Sequence, residues 1–309
     1  MELIRGIHNI RQQHRQCVLT IGNFDGVHLG HEAILNRVKE LASEYQTASC
    51  IMIFEPQPRE FFLSKNAPGR ISRFRDKLKM LQSHDIDYVL CLPFNEQFQQ
   101  LSAELFCQSI LQGGLNIQHL VVGDDFRFGC DRQGSFDYLY QFGKQNRFVV
   151  ENTPSVMSAS KERISSSLVR RCLSIGDVKT TEQLLGHPMS LSGRVVHGQE
   201  LGRTLGFPTA NVHLKAVVPA LSGVFAVEFA TKHEIYKGVA NIGFRPTVNG
   251  KTPILEVHLF EFDGSLYDDY VDVRFCHFIR KERKMSGLLE LEKQIQSDKE
   301  EAQSFFKDQ

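Results

Sequence analysis

Up to Leu185 the chain alternates short apolar runs with amphipathic stretches. Val18-Leu19-Thr20-Ile21, Ala48 to Phe54, Tyr88 to Leu92, His119 to Gly123 and Phe148 to Glu151 have the length and β-branched content of buried strands. Between them Ile34, Leu35, Val38 and Leu41 recur at helical spacing and mark one apolar face. Arg73 to Ser83 reads as a second helix, and Ala103 to Leu111 as a third that stops at Gly113-Gly114. Serines at 165 to 167 open another helix, Gly176-Asp177 closes it, and Val178 to Leu185 forms a short successor. Strands alternating with helices in this way predict an α/β domain built on a parallel, doubly wound sheet.

After Gly186-His187-Pro188 the pattern changes to glycine-punctuated strands. Val224 to Phe229, Lys237 to Ile242, Pro253 to Phe262 and Tyr270 to Phe275 are strand candidates, and Asp263-Gly264 marks a hairpin-like return. Several short strands separated by turns predict a small closed β-barrel. Leu288, Leu291, Ile295, Ala302 and Phe306 then run at helical spacing, as a terminal helix covering the barrel. The boundary falls near 186, giving domains 1–186 and 187–309.

At 309 residues the chain is long enough for two cores. Lysine plus arginine equals aspartate plus glutamate, 36 against 36, which argues against a broad basic surface for nucleic acid. Seven cysteines at scattered positions, without paired spacing, read as reduced thiols. Met1 to His14 lacks the apolar core of a signal peptide, and no apolar run reaches membrane-spanning length. A soluble cytoplasmic protein without membrane partners is expected, as a monomer or weak homo-oligomer.

Val18-Ile21 runs into the turn Gly22-Asn23-Phe24-Asp25-Gly26 and then a helix start. Strand, glycine-bearing turn and helix N-terminus together expose backbone N–H groups suited to phosphate. His28 and His31 lie three residues apart and can aim both imidazoles at whatever those groups hold. The bare pair is more often a solvated helix start; a zinc pair lacks the accompanying C-x-x-C or H-E-x-x-H. Glu55-Pro56-Gln57-Pro58-Arg59-Glu60 reads as a loop leaving a strand's carboxyl end, where open α/β sheets place ligands or simply turn. Asp124-Asp125-Phe126-Arg127-Phe128-Gly129 leaves another, with aromatics for a ring or for the core. Ser165, Ser166 and Ser167 are plain caps or phosphate holders, with Arg163 or Arg170 to neutralise charge. Leu191 to Asn211 carries glycines at 193, 198, 202 and 206, as turns or as a phosphate loop, although no P-loop motif occurs.

His28-Leu29-Gly30-His31 resembles the H-x-G-H signature of nucleotidylyltransferases. The longer string G-N-F-D-G-V-H-L-G-H, with G-F-P-T-A-N at 206–211 and L-E-V-H-L around Glu256, resembles the bacterial bifunctional riboflavin kinase/FAD synthetase family. The resemblance extends from about Leu19 to the last helix and implies a Rossmann-like nucleotidylyltransferase domain followed by a riboflavin kinase barrel. It implies His28 and His31 as catalytic groups, and Gly22, Asn23, Phe24, Gly30 and Asp125 as nucleotide or substrate contacts. Arg163, Ser165, Ser166, Ser167 and Arg170 would face the pyrophosphate leaving group, with Ser167 replacing the family's threonine. In the barrel, Gly198, Gly202, Gly206 and Pro208 would line the nucleotide site. Thr209 and Asn211 would bring hard oxygens to Mg²⁺ on ATP, and Glu256 would accept the riboflavin hydroxyl proton. A solvated glutamate on a strand's polar face is the plainer reading of Glu256 alone. Two further positions depart from the family: Gln57 stands where a histidine is usual, and Met285 where a phenylalanine is. The expected substrates are riboflavin, FMN and ATP. A single-activity enzyme, another nucleotidylyltransferase or a flavin sensor would be the rivals.

Overall fold

The computed structural model describes residues 1–198, 207–215, 217–247 and 250–308. The chain divides into two compact units, Met1–Pro68 with Lys77–Ile164, and Gly69–Asp76 with Ser165–Gln309.

In the first unit, strands β1 (Glu2–Arg5), β2 (Val18–Ile21), β3 (Ser49–Phe54), β4 (Tyr88–Leu92), β5 (His119–Gly123) and β6 (Val149–Thr153) form one sheet in the order β1-β4-β3-β2-β5-β6. All five pairings are parallel. Every residue of β2 and β3 is buried, because a parallel sheet is covered on both faces. Strand alternation assigns the faces. Val18 and Val121 pack with Val38 and Leu41 of helix α1 (Leu29–Glu44). Leu19, Leu120 and Val122 pack on the other face with Phe106, Ile110, Leu111 and Leu139. Those residues come from α5 (Ala103–Phe106), its π-helical continuation Cys107–Gly114, and α6 (Phe136–Asn146). The remaining α-helices are α2 (Pro58–Leu63), α4 (Glu96–Gln99) and α3 (Phe74–Ser83), which belongs to this unit from Lys77 on. From β2 the chain runs outward through β3 to β4, then returns to the far side of β2 at β5. The carboxyl ends of β2 and β5 therefore flank the topological switch point, where such sheets bind ligands.

Two details depart from the sequence expectation, and a third decides between two readings it left open. β1 forms an edge strand beside β4 inside a stretch that reads as polar; four residues with a single buried position leave too short a pattern to detect. The expected loop at 55–60 becomes helical from Pro58, with Gln57 as its N-cap residue, since proline is favoured in a first turn. Phe128 joins the core while Phe126 is only partly covered, so one of the two aromatics is structural.

The second unit opens with α7 (Ser166–Ser174) and α8 (Val178–Leu185). A closed antiparallel barrel follows: β7 (Ser190–Val196), β8 (Ala210–His213), β9 (Gly223–Ala230), β10 (Ile235–Thr247), β11 (Gly250–Leu259) and β12 (Tyr270–Arg280), ordered β10-β11-β8-β7-β12-β9. Leu191, Val195, Val212, Phe225, Val227, Phe229, Ile242, Leu255, Val257, Val273 and Phe275 are buried at alternating positions and fill the interior. The stretch expected to be a glycine loop from Leu191 thus begins as β7. Gly193 sits in that strand because a Cβ there would strike Val212. Helix α9 (Leu288–Lys307) covers Val224, Ala226 and Val239 with Ala302 and Phe306, as its spacing predicts; Leu288, in its first turn, is exposed. By compactness α7 and α8 go with the barrel, and Glu182 of α8 pairs with Arg274 of β12 at 3.3 Å.

Candidate functional sites

The first site grows from the end of β2. Phe24, Gly26 and Val27 take positive φ of 47°, 85° and 39°, left-handed residues on either side of Asp25 that curl the chain sharply. Phe24 can hold that conformation because its ring is locked in the core at 1% exposure and packs 4.8 Å from the His31 ring. His28 is the N-cap of α1 and accepts the His31 N–H on Nδ1 at 3.3 Å. An acceptor Nδ1 places the proton of the neutral ring on Nε2. The His28 and His31 rings stack at 3.7 Å with an interplanar angle of 18°. Gly30 makes room for this arrangement: a Cβ there would lie 3.1 Å from the Ile164 carbonyl oxygen and 3.2 Å from the His28 ring.

Next to Ile164, Arg163 reaches the turn that follows β5. Its Nη2 lies 2.9 Å from Asp125 Oδ1 and 3.1 Å from Asp124 Oδ1, and Ser155 Oγ donates to Asp124 at 2.9 Å. Burial pushes the Asp125 carboxyl upward, but the Arg163 hydrogen bond and charge prevail and hold it below the usual carboxylate range. Asp125 and Arg163, both expected at the site, are therefore brought together as an ion pair.

Sequence reading passed over Lys77 on α3. It is fully buried, and its Nζ donates to the Asn23 carbonyl at 2.6 Å. The available signal was its place four residues before buried Leu81, on the apolar face of a helix.

In the second unit, Ser165 caps α7 by accepting the Leu168 N–H at 3.3 Å. Ser167 is exposed and Ser166 half-buried. Arg170 Nε donates to the Gly69 carbonyl at 2.7 Å.

On the barrel, register aligns Asn211 of β8 directly opposite Glu256 of β11, and Glu256 opposite Asn241 of β10. Directly opposed residues share a face, so the carboxamide and the carboxylate stand side by side on the outer surface. Gly198 lies so close that a Cβ would collide with the Asn211 amide. Thr209 and Pro208 lead into β8, and the Pro208 carbonyl accepts from His258 Nδ1 at 3.0 Å. The alternation that puts Glu256 outward places His258 on the same face of the strand. Its ring is nonetheless buried, edge-on to Phe207 at 5.5 Å. Burial holds its pKa below the ordinary histidine value. Beside Phe207 a groove is lined by Leu289, Lys293, Gln296 and Glu300 of α9. Gly202 and Gly206 lie outside the described residues.

The chain carries a switch-point turn leading into an H-x-G-H helix and a barrel that sets Asn211 opposite Glu256 after a P-T-A-N turn, and it matches an enzyme class that transfers phosphoryl and nucleotidyl groups. Two family models match the chain, FAD synthetase over residues 10–168 and riboflavin kinase over residues 185–306. Curated relatives described as bifunctional riboflavin kinase/FMN adenylyltransferase match from end to end. That of Pseudomonas fluorescens is 48% identical with 96% of each chain covered. That of Haemophilus influenzae is 45% identical with 99% of each covered, and that of Escherichia coli K12 is 46% identical over 99% of this chain and 98% of its own. A crystal structure described as a macrolide-efflux protein from Streptococcus pneumoniae shares the fold, with a TM-score of 0.80 at 26% identity over 96% of this chain and 97% of that one. No helix among the described residues is long and apolar enough to cross a membrane. The chain belongs to the bifunctional riboflavin kinase/FMN adenylyltransferase family. It phosphorylates riboflavin to FMN with ATP, and adenylylates FMN to FAD with release of pyrophosphate.

Proposed function

We propose that the two reactions use two separate sets of reacting groups, His28 and His31 in the first unit and Glu256 with Thr209 and Asn211 in the barrel. The observation that carries this reading is that each set is assembled within its own compact unit: stacked imidazoles at the switch point, and a carboxylate beside a carboxamide on the barrel face. In FAD formation an FMN phosphate oxygen attacks the α-phosphorus of ATP, and the bond to the pyrophosphate oxygen breaks. His28, through Nε2–H, and His31 stabilise the charge that develops on the transferring phosphoryl oxygens. Gly22, Asn23, Phe24 and Gly30 shape the phosphate cradle, Asp125 contacts substrate, and Arg163, Ser165, Ser166, Ser167 and Arg170 are assigned to pyrophosphate. In FMN formation the terminal ribityl hydroxyl attacks the γ-phosphorus, its proton passes to Glu256, and ADP leaves.

The Thr209 hydroxyl and Asn211 carboxamide oxygen are hard donors, and the described residues contain no cluster of three or more His, Cys, Asp or Glu able to cage a metal. That donor set fits Mg²⁺ arriving on the phosphates of ATP, where it neutralises their charge. Gly198, Gly202, Gly206 and Pro208 complete the ATP side, and the groove beside Phe207 is the place for the flavin ring. The functional boundary lies near 186, and the enzyme works in the cytoplasm as a monomer or weak homo-oligomer.

The test is chromatographic separation of flavins after incubation with riboflavin, ATP and Mg²⁺. His31→Ala should make FMN but no FAD, and Glu256→Ala should make FAD only when supplied with FMN. Loss of both activities from either folded variant would refute the two-site assignment.

A further inference from the structure

Lys77 has no assigned part in either reaction, yet it is fully buried and grips a backbone oxygen of the phosphate turn. Its Nζ donates to the Asn23 carbonyl at 2.6 Å, with no part of the side chain exposed. Burying such a head group is costly unless it is hydrogen-bonded, so a lysine is tolerated at this position only with polar partners such as the Asn23 carbonyl. Lys77 also acts on the thiol of Cys91 in β4, where burial and Glu55 push the pKa up and Arg5, then Lys77, pull it down. Its head group is thus within electrostatic reach of the last turn of that strand as well as of the turn after β2.

The consequence follows from peptide geometry. Among the described residues only the Glu55-Pro56 bond is cis, so the Asn23-Phe24 peptide is trans and planar. In a trans peptide the C=O and the following N–H point in opposite directions. Drawing the Asn23 carbonyl toward Lys77 therefore turns the Phe24 N–H away from it. The positive φ of 47° at Phe24 and its buried ring fix the conformation of the residue that carries this N–H.

We propose that Lys77 is a positioning residue for adenylyl transfer: by fastening the Asn23 carbonyl it aims the Phe24 N–H at the ATP phosphates. This rests on the assignment of the His28/His31 turn as the adenylyl-transfer site. A preorganised backbone donor acts most strongly on charge that develops in the transition state, and losing one costs about 10²- to 10³-fold in kcat.

The experiment compares Lys77→Met, Lys77→Arg and His31→Ala with the native full-length chain. Each is assayed for FMN adenylylation, for riboflavin phosphorylation in the same preparation, and for cooperative melting. Lys77→Met, which keeps the bulk and loses the donor, should lower kcat for FAD formation about 100-fold with KM for ATP within about threefold. Riboflavin phosphorylation should stay within about twofold of native. Lys77→Arg, which retains donors on a longer stem, should recover about tenfold of the loss. FAD formation by Lys77→Met within about threefold of native overturns the proposal, as does an equal fall in both activities, which would mark Lys77 as merely structural. If Lys77→Met does not fold, Lys77→Arg decides: about tenfold slower FAD formation with native melting and phosphorylation supports the proposal, and native FAD formation overturns it. If His31→Ala retains FAD formation, the site assignment itself fails, and Lys77 falls with it. If His31→Ala is inactive and Lys77→Met is not, only the Lys77 inference is lost.

Discussion

His28 is both a helix cap and a reacting group, and the first role sets the second. By accepting the His31 N–H on Nδ1 it has its ring proton assigned to Nε2, the nitrogen able to donate to a phosphoryl oxygen. Gly30 is the neighbour on which this depends. Gly30→Ala would gain up to about 1 kcal/mol in helix propensity, against crowding of a Cβ 3.1 Å from the Ile164 carbonyl and 3.2 Å from the His28 ring. The two effects nearly cancel in stability, but the crowding tilts the imidazole. The expected outcome is a melting temperature close to native with FAD formation reduced about tenfold, since a small misplacement of a catalytic group is costly; FMN formation is the internal control. The H-x-G-H spacing was legible because it is local. The tautomer of His28, the ion pair between Asp125 and Arg163 and the placement of Lys77 were not, since each depends on partners distant in the chain or on the exact course of the turn.

Among the elements, α9 shows how pattern and packing divide the work. Its spacing predicts a covering helix, and Ala302 and Phe306 do pack on the barrel, but the first anchor named by periodicity, Leu288, is exposed. The register is fastened instead by a polar residue: Asp298 is buried and receives Arg280 Nε and Nη2 at 2.8 and 2.7 Å. Breaking one partner of a buried pair leaves an uncompensated charge. Asp298→Ala should therefore destabilise the barrel by about 3 kcal/mol, measured by denaturant unfolding, whereas exposed Leu288→Ala should change it by no more than about 0.5 kcal/mol. Strands β2, β4 and β5 and helix α8 match their sequence-derived limits because long apolar runs or clear caps bound them. β1, β7 and β8 do not stand out: β1 has one buried residue, and Gly193 in β7 imitates a loop while serving close packing against Val212.

Across the molecule, each unit buries a histidine that resists protonation. Burial lowers the pKa of His119 in the sheet, against the pull of Glu151 and Glu44, and it lowers that of His258 in the barrel. A native pKa below the unfolded value means that the unfolded chain binds protons first as pH falls. Stability is then full above about pH 6.5 and declines below it, until the native groups also titrate, by at most about 1.4 kcal/mol per pH unit for each histidine. Thermal melts from pH 8 to pH 5 should show both units losing stability below about pH 6.5, and His119→Gln should flatten the response of the sheet unit alone. Read from the residues alone, the chain already determines its strand and helix periods, the phosphate-suited turn at 22–26, the H-x-G-H pair and the glutamate on the outer face of a barrel strand, because these are short-range patterns of spacing and chemistry. Tertiary structure decides which carboxamide stands opposite Glu256 and which backbone oxygen Lys77 grips. Those depend on strand register and sheet order, which bring together residues tens of positions apart and which no local window encodes.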